Sequence, residues 1–557
     1  MASGQQSPPQ SLDDFLRPLR ITDNAVLELS RDLTEDFSRL SNKSDNQFLP
    51  TPISESLLGR VDGADRGRYL AIDIGGTNLR VGFVELLAGE SGEPGESGGT
   101  GDTTDEDSPI NGGGFSVFAL GSPQSSQPPR LRRLLERSWP IGEQLKDQNA
   151  DSLFKFIGKC ISLIVQQATS EWGLHPDAEL PMGVTFSFPM EQKSLHEAIL
   201  MPMGKGFALD CKVDLGAYLV AGYEEYRENS LPRIRVAAIA NDAVASLVSF
   251  IYQFRAKPNQ KAAMSLICGT GTNATIPLKL STLKDSKRPQ TVSVIPGQAG
   301  NDVKIAVNTE WSINGTVNTL SSHGLITGWD TRLNMHVEKP GFQPLEYMTS
   351  GRYLGELGRI IFEDYLTKIL RYDRFELPLK LREPFTLSTT FLSHFNPRNT
   401  ENGTLVEQLQ REFPIAKKRN AAHSIHDQLE WTPEIADALY RIAVAIEVRA
   451  AGLMAAYTIG LLTLSEDLPP ITKRNSVDVD KVGSKSRGKP DELVVGYTGG
   501  CITAFQNYLK DCQAFLDSVV ALEHGKGKFR VLLSPCHDGG ITGAGILVPA
   551  SLHSEGK

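Results

Sequence analysis

The sequence feature that most constrains the fold is a series of short apolar runs that each end in a glycine-rich turn. The first is YLAIDIGGTNLRV (69–81), and the second is SLICGTGTNAT (265–275). Two more follow near the C-terminus, VVGYTGG (494–500) and SPCHDGGITGAG (534–545). Further apolar runs alternate with helix-length patterns between them. This alternation predicts an α/β architecture.

The first glycine turn has the chemistry of an anion-binding site. Glycine lets the backbone approach a ligand closely, and N–H groups together with the Thr77 hydroxyl can hold a phosphate. Asp73, at the end of the preceding strand, is placed to orient a hydrated Mg²⁺, which prefers carboxylate oxygens. A β-hairpin turn without a ligand is the alternative for any one motif, whereas the ordered series favours phosphate binding.

Length and composition narrow the class of protein. A single core stops growing at roughly 250–300 residues, so 557 residues predict two large domains. The formal net charge of -9 gives no electrostatic reason to expect nucleic-acid binding. Six cysteines without a CxxC pair favour a reducing, cytoplasmic environment. The apolar run 443–462 contains Glu447 and Arg449, which predicts a core helix and not a membrane insertion.

A low-complexity stretch from residue 88 to about residue 130 is rich in Gly, Ser, Glu, Asp and Pro. Such a composition cannot bury enough apolar surface to offset the entropy of ordering. The strand-like runs RVGFVEL (80–86) and GFSVFAL (114–120) therefore predict a long hairpin that carries a surface insertion. The polar stretch 472–491 predicts a second surface loop.

From about residue 48 to residue 552 the sequence resembles the eukaryotic hexokinase family. Seven segments carry the resemblance in order: DIGGTNLRV (73–81), GVTFSFP (183–189), GKGF (204–207), IANDAVA (239–245), CGTGTNA (268–274), NTEWSINGT (308–316) and LEYMTSGRYLGEL (345–357). The first is similar to the family's phosphate motif, the next two to its sugar-binding segment, and the fourth to its catalytic strand end.

The resemblance implies an α/β, two-domain actin-like ATPase (hexokinase) fold with an interdomain cleft. It implies an ATP-dependent kinase that uses Mg²⁺ and phosphorylates the 6-hydroxyl of a hexose or hexosamine. The expected partners are a small-molecule sugar and ATP. Residues 1–20 are expected to be disordered, 21–240 to form the small N-terminal domain, and 241–557 the large C-terminal domain, with the last helix returning to the small one.

The resemblance implies that Asp242 is the catalytic base and that Lys205 stabilises the transferring phosphoryl group or the developing alkoxide. Asp242 follows the apolar run VAAIA and Asn241, so its carboxylate is expected at a strand end that faces the cleft. By its position alone, Asp242 could instead be the N-cap of a helix. An isolated lysine such as Lys205 is otherwise a solvated surface residue.

Polar side chains at the matching positions are the expected ligand contacts. The sugar contacts are Ser187, Lys205, Asn241, Asp242, Asn273, Glu310 and Glu346. The nucleotide contacts are Asp73, Gly75, Gly76, Thr77, Asn78, Arg80, Thr270, Gly271, Gly499 and Ser534, with Mg²⁺ held by Asp73 through water. Glu310 and Glu346 could otherwise be surface carboxylates. Trp311 is expected in the core and not as a sugar platform.

The C-terminal turns depart from the family. The chain has Thr498-Gly499-Gly500 where relatives carry Asp-Gly-Ser or Asp-Gly-Thr, and Val448 where they carry Ser or Thr. SPCHDGGITG (534–543) is likewise altered. A catalytically inactive, hexokinase-like nutrient regulator is therefore an alternative to an enzyme.

Two further departures concern the sugar. Gly204 lies where glucose-preferring family members carry a threonine. The residues after Glu310 include Ser312, Asn314 and Thr316. We interpret them as a wider, more polar wall that suits the acetamido group of N-acetylglucosamine. The chain is most similar to the divergent fungal N-acetylglucosamine kinase branch of the family. A glucose-phosphorylating hexokinase or glucokinase is the alternative.

Overall fold

The computed structural model describes residues 11–58, 66–87, 130–146, 150–201, 214–295, 302–415, 429–470, 490–536 and 539–554. The strands are β1 (Leu49–Ser54), β2 (Gly67–Ile74), β3 (Asn78–Leu86), β4 (Leu131–Pro140), β5 (Glu179–Phe186), β6 (Met190–Ser194), β7 (Glu197–Leu200), β8 (Arg233–Ala240), β9 (Gln260–Cys268), β10 (Thr272–Lys279), β11 (Lys304–Asn308), β12 (Glu492–Thr498) and β13 (Arg530–Pro535).

The α-helices are α1 (Leu12–Phe15), α2 (Asp23–Lys43), α3 (Glu55–Leu58), α4 (Glu143–Lys146), α5 (Ala150–Trp172), α6 (Leu215–Glu224), α7 (Asp242–Gln253), α8 (Val317–Ser322), α9 (Gly328–His336), α10 (Pro344–Thr349), α11 (Leu354–Asp364), α12 (Leu379–Arg382), α13 (Thr389–His394), α14 (Leu405–Glu412), α15 (Pro433–Leu464), α16 (Gly500–Ala504), α17 (Tyr508–His524) and α18 (Gly539–Ser554).

One half of the molecule is built on a five-stranded sheet in the order β4-β3-β2-β5-β8. β2, β5 and β8 run parallel, whereas β3 and β4 are antiparallel to their neighbours. Both faces of β2 are buried, because Leu70 and Ile72 enter one core cluster and Ala71 enters another. α5 and α6 contribute to the first cluster, and α7 and α18 to the second. Helices on both faces explain why β2, β5 and β8 each contain a continuous apolar run.

The other half is built on a six-stranded sheet in the order β1-β11-β10-β9-β12-β13. β9, β12 and β13 run parallel, and the remaining pairs are antiparallel. The largest core cluster joins this sheet to α2, α15 and α17. Most of α15 is buried, which confirms that the apolar run 443–462 is a core helix.

The first part of the chain belongs to the six-stranded half, not to the small domain expected for residues 21–240. β1 pairs with β11, where Leu49 lies opposite Asn308. α2 packs along α15, and two glycines of α15 allow the close approach: a Cβ at Gly452 would lie 3.3 Å from Val26, and one at Gly460 would lie 3.1 Å from Phe37. The chain therefore enters the five-stranded sheet only at β2.

The expectation that residues 1–20 are disordered is wrong for residues 11–20. Ser11 caps α1, and Phe15 is buried with its ring 5.1 Å from the ring of Trp329 in an edge-to-face contact. Burial of the apolar side chains Phe15, Leu16 and Leu19 offsets part of the ordering cost of this short segment. Residues 1–10 lie outside the described residues.

The predicted hairpin pairs β3 with a different strand from the one expected. β4 runs antiparallel to β3, and the Leu87 N–H donates to the Arg130 carbonyl where the excursion begins and ends. The arginine-rich sequence of β4 hid it, because its outer face is largely exposed. The predicted strand 114–120 and the insertion 88–129 lie outside the described residues, as do residues 471–489 of the second loop.

Candidate functional site

A cavity of about 390 Å³ lies between the two halves, near strand ends of both sheets. Residues that follow β2, β5 and β8 form one wall, and residues around β9, β10 and β11 form the other. Nine of the sequence-predicted site residues line it: Gly76, Ser187, Asn241, Asp242, Thr270, Gly271, Asn273, Glu310 and Glu346. The fold thus brings together positions as much as 270 residues apart in the sequence (346 minus 76).

Asp242 lies at the first position of α7, and Asn241 is the N-cap. The Ala243 N–H donates to Asn241 Oδ1 at 2.9 Å and to Asp242 Oδ1 at 2.8 Å. Asn241, and not Asp242, is therefore the N-cap of α7. The alternative role of Asp242 as a helix cap is thus filled by its neighbour. The Asp242 carboxylate is half-buried and lines the cavity, where it can accept a proton.

A network of two amides and a carboxylate lies across the cavity from Asp242. Asn273 Nδ2 donates to Asn308 Oδ1 at 2.8 Å and to Glu310 Oε1 at 3.2 Å. Asn308 Nδ2 donates to the same Glu310 oxygen at 2.9 Å. Glu310 has a left-handed backbone with φ 46°, a strained conformation that a tight environment must hold in place. The Gln47 side chain supports it by donating to the Glu310 carbonyl at 3.0 Å.

Glu346 approaches the second glycine turn from α10. Its Oε2 accepts from the Thr272 N–H at 3.1 Å. A Cβ at Gly271 would lie 2.7 Å from the same oxygen, so only glycine leaves room for this carboxylate. Two backbone hydrogen bonds hold the turn, from Gly351 to Gly269 at 2.8 Å and from Arg352 to Thr270 at 3.1 Å. Glu346 and Glu310 are therefore cavity-lining and not exposed surface carboxylates.

Of the first glycine turn, Gly76 is the part that reaches the cavity. Gly75 closes the turn by donating to the Asn78 carbonyl at 2.9 Å, whereas Thr77 and Asn78 are exposed. Arg80 lies within β3, and Asp73 lies near the end of β2. These residues flank the cavity without lining it, so their assignment to a nucleotide stays a prediction.

The C-terminal glycine turns differ in what they do. Gly499 has φ 117° and presses against the carbonyl of Cys268, and Ser534 lies in β13 beside Gly496 of β12. The glycines of the last motif sit in α18, where a Cβ at Gly543 would lie 2.2 Å from the Ala245 carbonyl oxygen. That motif therefore serves close packing of α18 on α7. Gly499 and Ser534 stay predicted nucleotide contacts outside the cavity.

The polar wall predicted after Glu310 is wrong in two of its three members. Thr316 is buried and shares a 2.6 Å hydrogen bond with the Tyr457 hydroxyl, and Asn314 is exposed in a short 3₁₀ turn. Ser312 does line the cavity, where it accepts a 3.3 Å hydrogen bond from Gln343 Nε2. The 3₁₀ turn at Asn314–Thr316 carries the later side chains away from the cavity.

Sequence reasoning missed Asn308, Gln343, Arg352 and Tyr353. Gln343, Arg352 and Tyr353 line the cavity, and Arg352 also forms an ion pair with Glu338 at 2.6 Å. Gln343 lies three residues before Glu346 and Arg352 six after it, so proximity to a predicted contact was the available signal. Burial and the nearby charge of Glu346 raise the pKa of Tyr353 to about 12, which keeps its hydroxyl protonated at neutral pH.

Three other predicted features have different outcomes. Trp311 is fully buried and donates to Thr272 Oγ1 at 3.2 Å, which confirms that it belongs to the core. Arg449, next to the altered Val448, forms a buried two-point ion pair with Asp330 at 2.7 and 2.8 Å. Lys205 and Gly204 lie outside the described residues, so their roles stay predictions.

Comparison with known proteins identifies relatives of this chain. Two profiles described as hexokinase match it, over residues 11–252 and 263–550. It is 27% identical to a hexokinase of Schwanniomyces occidentalis over 394 residues, which covers 71% of this chain and 68% of that protein. It is 25% identical to hexokinase-1 of Schizosaccharomyces pombe over 544 residues, with 97% and 88% covered.

The fold agrees with these matches. A solved hexokinase from Schistosoma mansoni, complexed with glucose, superposes with a TM-score of 0.66 at 22% identity and covers 97% of this chain and 98% of its own. The two-domain α/β fold predicted from the motifs is thereby confirmed. With family profiles matching both halves and the predicted polar residues gathered in one cavity, the chain belongs to the hexokinase family of sugar kinases.

Proposed function

We propose that this protein transfers the γ-phosphoryl group of ATP to the 6-hydroxyl of N-acetylglucosamine. The observation that carries the kinase part of the proposal is the position of Asp242, at the N-terminus of α7 and in the same cavity as Asn273, Glu310 and Glu346. The carboxylate takes the hydroxyl proton as the oxygen attacks the γ-phosphorus, and ADP leaves.

The preference for an acetamido sugar rests on the wall formed by Ser312, Ile313 and Gln343. An acetamido group needs a donor, an acceptor and room for a methyl group. The Gln343 amide supplies the donor and the acceptor, and the half-buried Ile313 side chain lines the cavity beside them. The glycine at position 204, where glucose-preferring relatives carry threonine, favours the same substrate.

The residues fit a bound Mg²⁺. This ion keeps most of its waters and needs one or two carboxylates. Asp73 lies against Gly540, where a Cβ would approach its Oδ2 to 2.5 Å, so only a glycine at this position keeps a side chain from covering the carboxylate. Asp73 would hold the ion through water, and the ion would offset the charge of the ATP phosphates.

The proposal is tested by measuring ADP release with N-acetylglucosamine and with glucose. We expect kcat/KM to be higher for the amino sugar, and we expect Gly204→Thr to lower it more for the amino sugar than for glucose. Faster turnover of glucose, with Gly204→Thr affecting both sugars alike, would contradict the acetamido preference and leave a glucose hexokinase. Glucose is the second candidate because the Schistosoma mansoni enzyme was solved with it.

The role of Asp242 is tested with Asp242→Asn against Asp23→Asn. Asp23 is also the first residue of a long helix, and it lies in α2, away from the cavity. Each change removes a favourable helix-dipole interaction of about 0.3–1 kcal/mol. We expect only Asp242→Asn to abolish turnover while the protein stays folded by circular dichroism. No turnover by the unmodified protein with any sugar would favour the inactive regulator.

A further inference from the structure

Two cysteine thiols lie close to the same backbone carbonyl, behind the turn that carries Thr270 and Gly271. Cys268 ends β9, and Cys501 lies in the first turn of α16. Their sulfur atoms lie 3.4 Å and 3.8 Å from the same oxygen, the carbonyl of Thr349. Both side chains are buried, with 0% of Cys268 and 6% of Cys501 exposed.

The backbones that carry the two thiols are in direct contact. β12 runs parallel to β9, with Thr498 beside Ile267. One residue further on, Gly499 has φ 117°, and a Cβ there would lie 2.4 Å from the carbonyl carbon and oxygen of Cys268. Cys501 follows Gly499 by two residues, so this backbone contact keeps its side chain close to that of Cys268. Hydrogen bonding to Cys268 is the main cause that raises the pKa of Cys501. Such a hydrogen bond requires the two thiols to lie close together.

We propose that Cys268 and Cys501 are a redox modification site, at which a small hydroperoxide forms a disulfide that weakens nucleotide binding. The inference rests on the proposed function for its nucleotide. One thiolate attacks the O–O bond of hydrogen peroxide, which gives a sulfenic acid and water. The second thiol displaces the sulfenic hydroxyl, which leaves as water, and the S–S bond forms. Two electrons from the two sulfurs thus reduce one peroxide to two waters.

The bond would disturb the site through the groups that the thiols now contact. The Thr349 carbonyl also accepts from the Tyr508 hydroxyl at 3.1 Å, so both sulfurs must leave a shared hydrogen-bonded position. Residues 351 and 352, just after Thr349, hold Gly269 and Thr270 by their backbone N–H groups. Closing the disulfide shifts β9 relative to α16 and therefore moves the Thr270 turn.

Burial decides which oxidant reacts. Hydrogen bonding to Cys268 and burial raise the pKa of the Cys501 thiol, so the reactive thiolate is scarce at neutral pH. We expect slow oxidation by hydrogen peroxide and slower reaction with bulky glutathione disulfide. Cys512 on α17 is the competing partner, because it is buried in the same core cluster as Cys268.

Mass spectrometry identifies the bond directly. The full chain is treated with hydrogen peroxide, its remaining thiols are alkylated, and it is digested without reduction. We expect a cross-linked peptide that joins Cys268 to Cys501 and disappears after dithiothreitol. A Cys268–Cys512 cross-link, or oxidation without any cross-link at Cys501, would overturn the assignment.

Nucleotide binding measures the consequence independently of catalysis. ATP affinity is measured by calorimetry before and after oxidation, so the result stands whether or not any sugar is turned over. We expect the oxidised chain to bind ATP about tenfold more weakly, and dithiothreitol to restore the affinity. Unchanged affinity of a chain shown to carry the bond would contradict the proposal. Absence of ATP binding to the reduced chain would instead contradict the proposed function.

Two variants separate this pair from general oxidation. Each variant is compared with its own untreated sample, since Cys501 lies close to the nucleotide turns. We expect peroxide to weaken ATP binding to Cys512→Ala as it does for the unmodified chain, and to leave Cys501→Ala largely unaffected. Equal loss in both variants would overturn the proposal. If Cys501→Ala does not fold, the cross-linked peptide of the unmodified chain still decides the assignment.

Discussion

At the scale of single residues, the cavity depends on positions where a side chain is missing. Gly269 and Gly271 lie two residues apart in one turn, yet their surroundings differ. A Cβ at Gly271 would lie 2.7 Å from Glu346 Oε2, whereas one at Gly269 would lie 3.5 Å from the Gly499 Cα, an ordinary contact. The two glycines therefore form a matched pair for testing what the Glu346 carboxylate contributes.

We predict that Gly271→Ala lowers kcat/KM for the sugar by at least about tenfold, equivalent to 1.4 kcal/mol of lost transition-state stabilisation. The new methyl group displaces Glu346, whose Oε2 accepts from the Thr272 N–H. Gly269→Ala should change kcat/KM by less than about threefold, because its Cβ finds room. Steady-state kinetics of both variants check this, and equal losses would show that Glu346 is not the cause.

The same scale shows how far residues could be predicted from the sequence. Asp242 and Glu346 stood in recognisable motifs after predicted elements, and both line the cavity. Asn308 was missed because its role is to hold Glu310 and Asn273, a three-dimensional relation that spacing does not encode. Thr316 was placed wrongly because a 3₁₀ turn reverses which side chains face inward.

At the scale of elements, the long helix α15 carries an ionisable group into the core. Glu447 is fully buried. The pKa of Glu447 is raised to about 8. Burial is the main cause, and the charge of Asp511 on α17 is a further one. The folded protein therefore holds a neutral carboxyl group at pH 7, whereas the unfolded chain ionises near its ordinary value of 4.5.

We predict that this group makes stability fall as pH rises. Its contribution is fully present below about pH 4.5, the unfolded pKa, and is lost progressively up to about pH 8. Tm measured from pH 5 to pH 8.5 should therefore fall less steeply for Glu447→Gln than for the unmodified chain. Glu28→Gln, at an exposed position of α2, should follow the unmodified chain. Parallel slopes for all three proteins would contradict the prediction.

At the scale of the whole molecule, the two sheets exchange parts of the chain. β1 and α2 come before the five-stranded sheet in sequence but pack with the six-stranded one, and α18 does the reverse. The apolar periodicities of these elements predicted that they exist. These periodicities did not indicate which sheet each element joins, because the apolar face of a helix can pack against either sheet.

We predict that deleting residues 92–113 leaves activity and Tm nearly unchanged. The backbone already closes at the hydrogen bond between Leu87 and Arg130, and β4 pairs with β3 beyond it. Roughly halving such a loop alters its closure free energy by only about 0.6 kcal/mol. Differential scanning calorimetry with kinetics of the shortened chain checks this. A large fall in Tm would show that the deleted residues pack against the fold.

The position of α18 also constrains the order in which the protein can be made. The face of the five-stranded sheet that carries Ala71, Val84 and Ala238 is covered by Ile541, Ala544 and Leu547. A ribosome therefore completes β2 through β8, and α7 after them, long before it synthesises α18. The part of the apolar face that α18 covers stays exposed until residues 539–554 have been made, so the growing chain is open to aggregation up to that point.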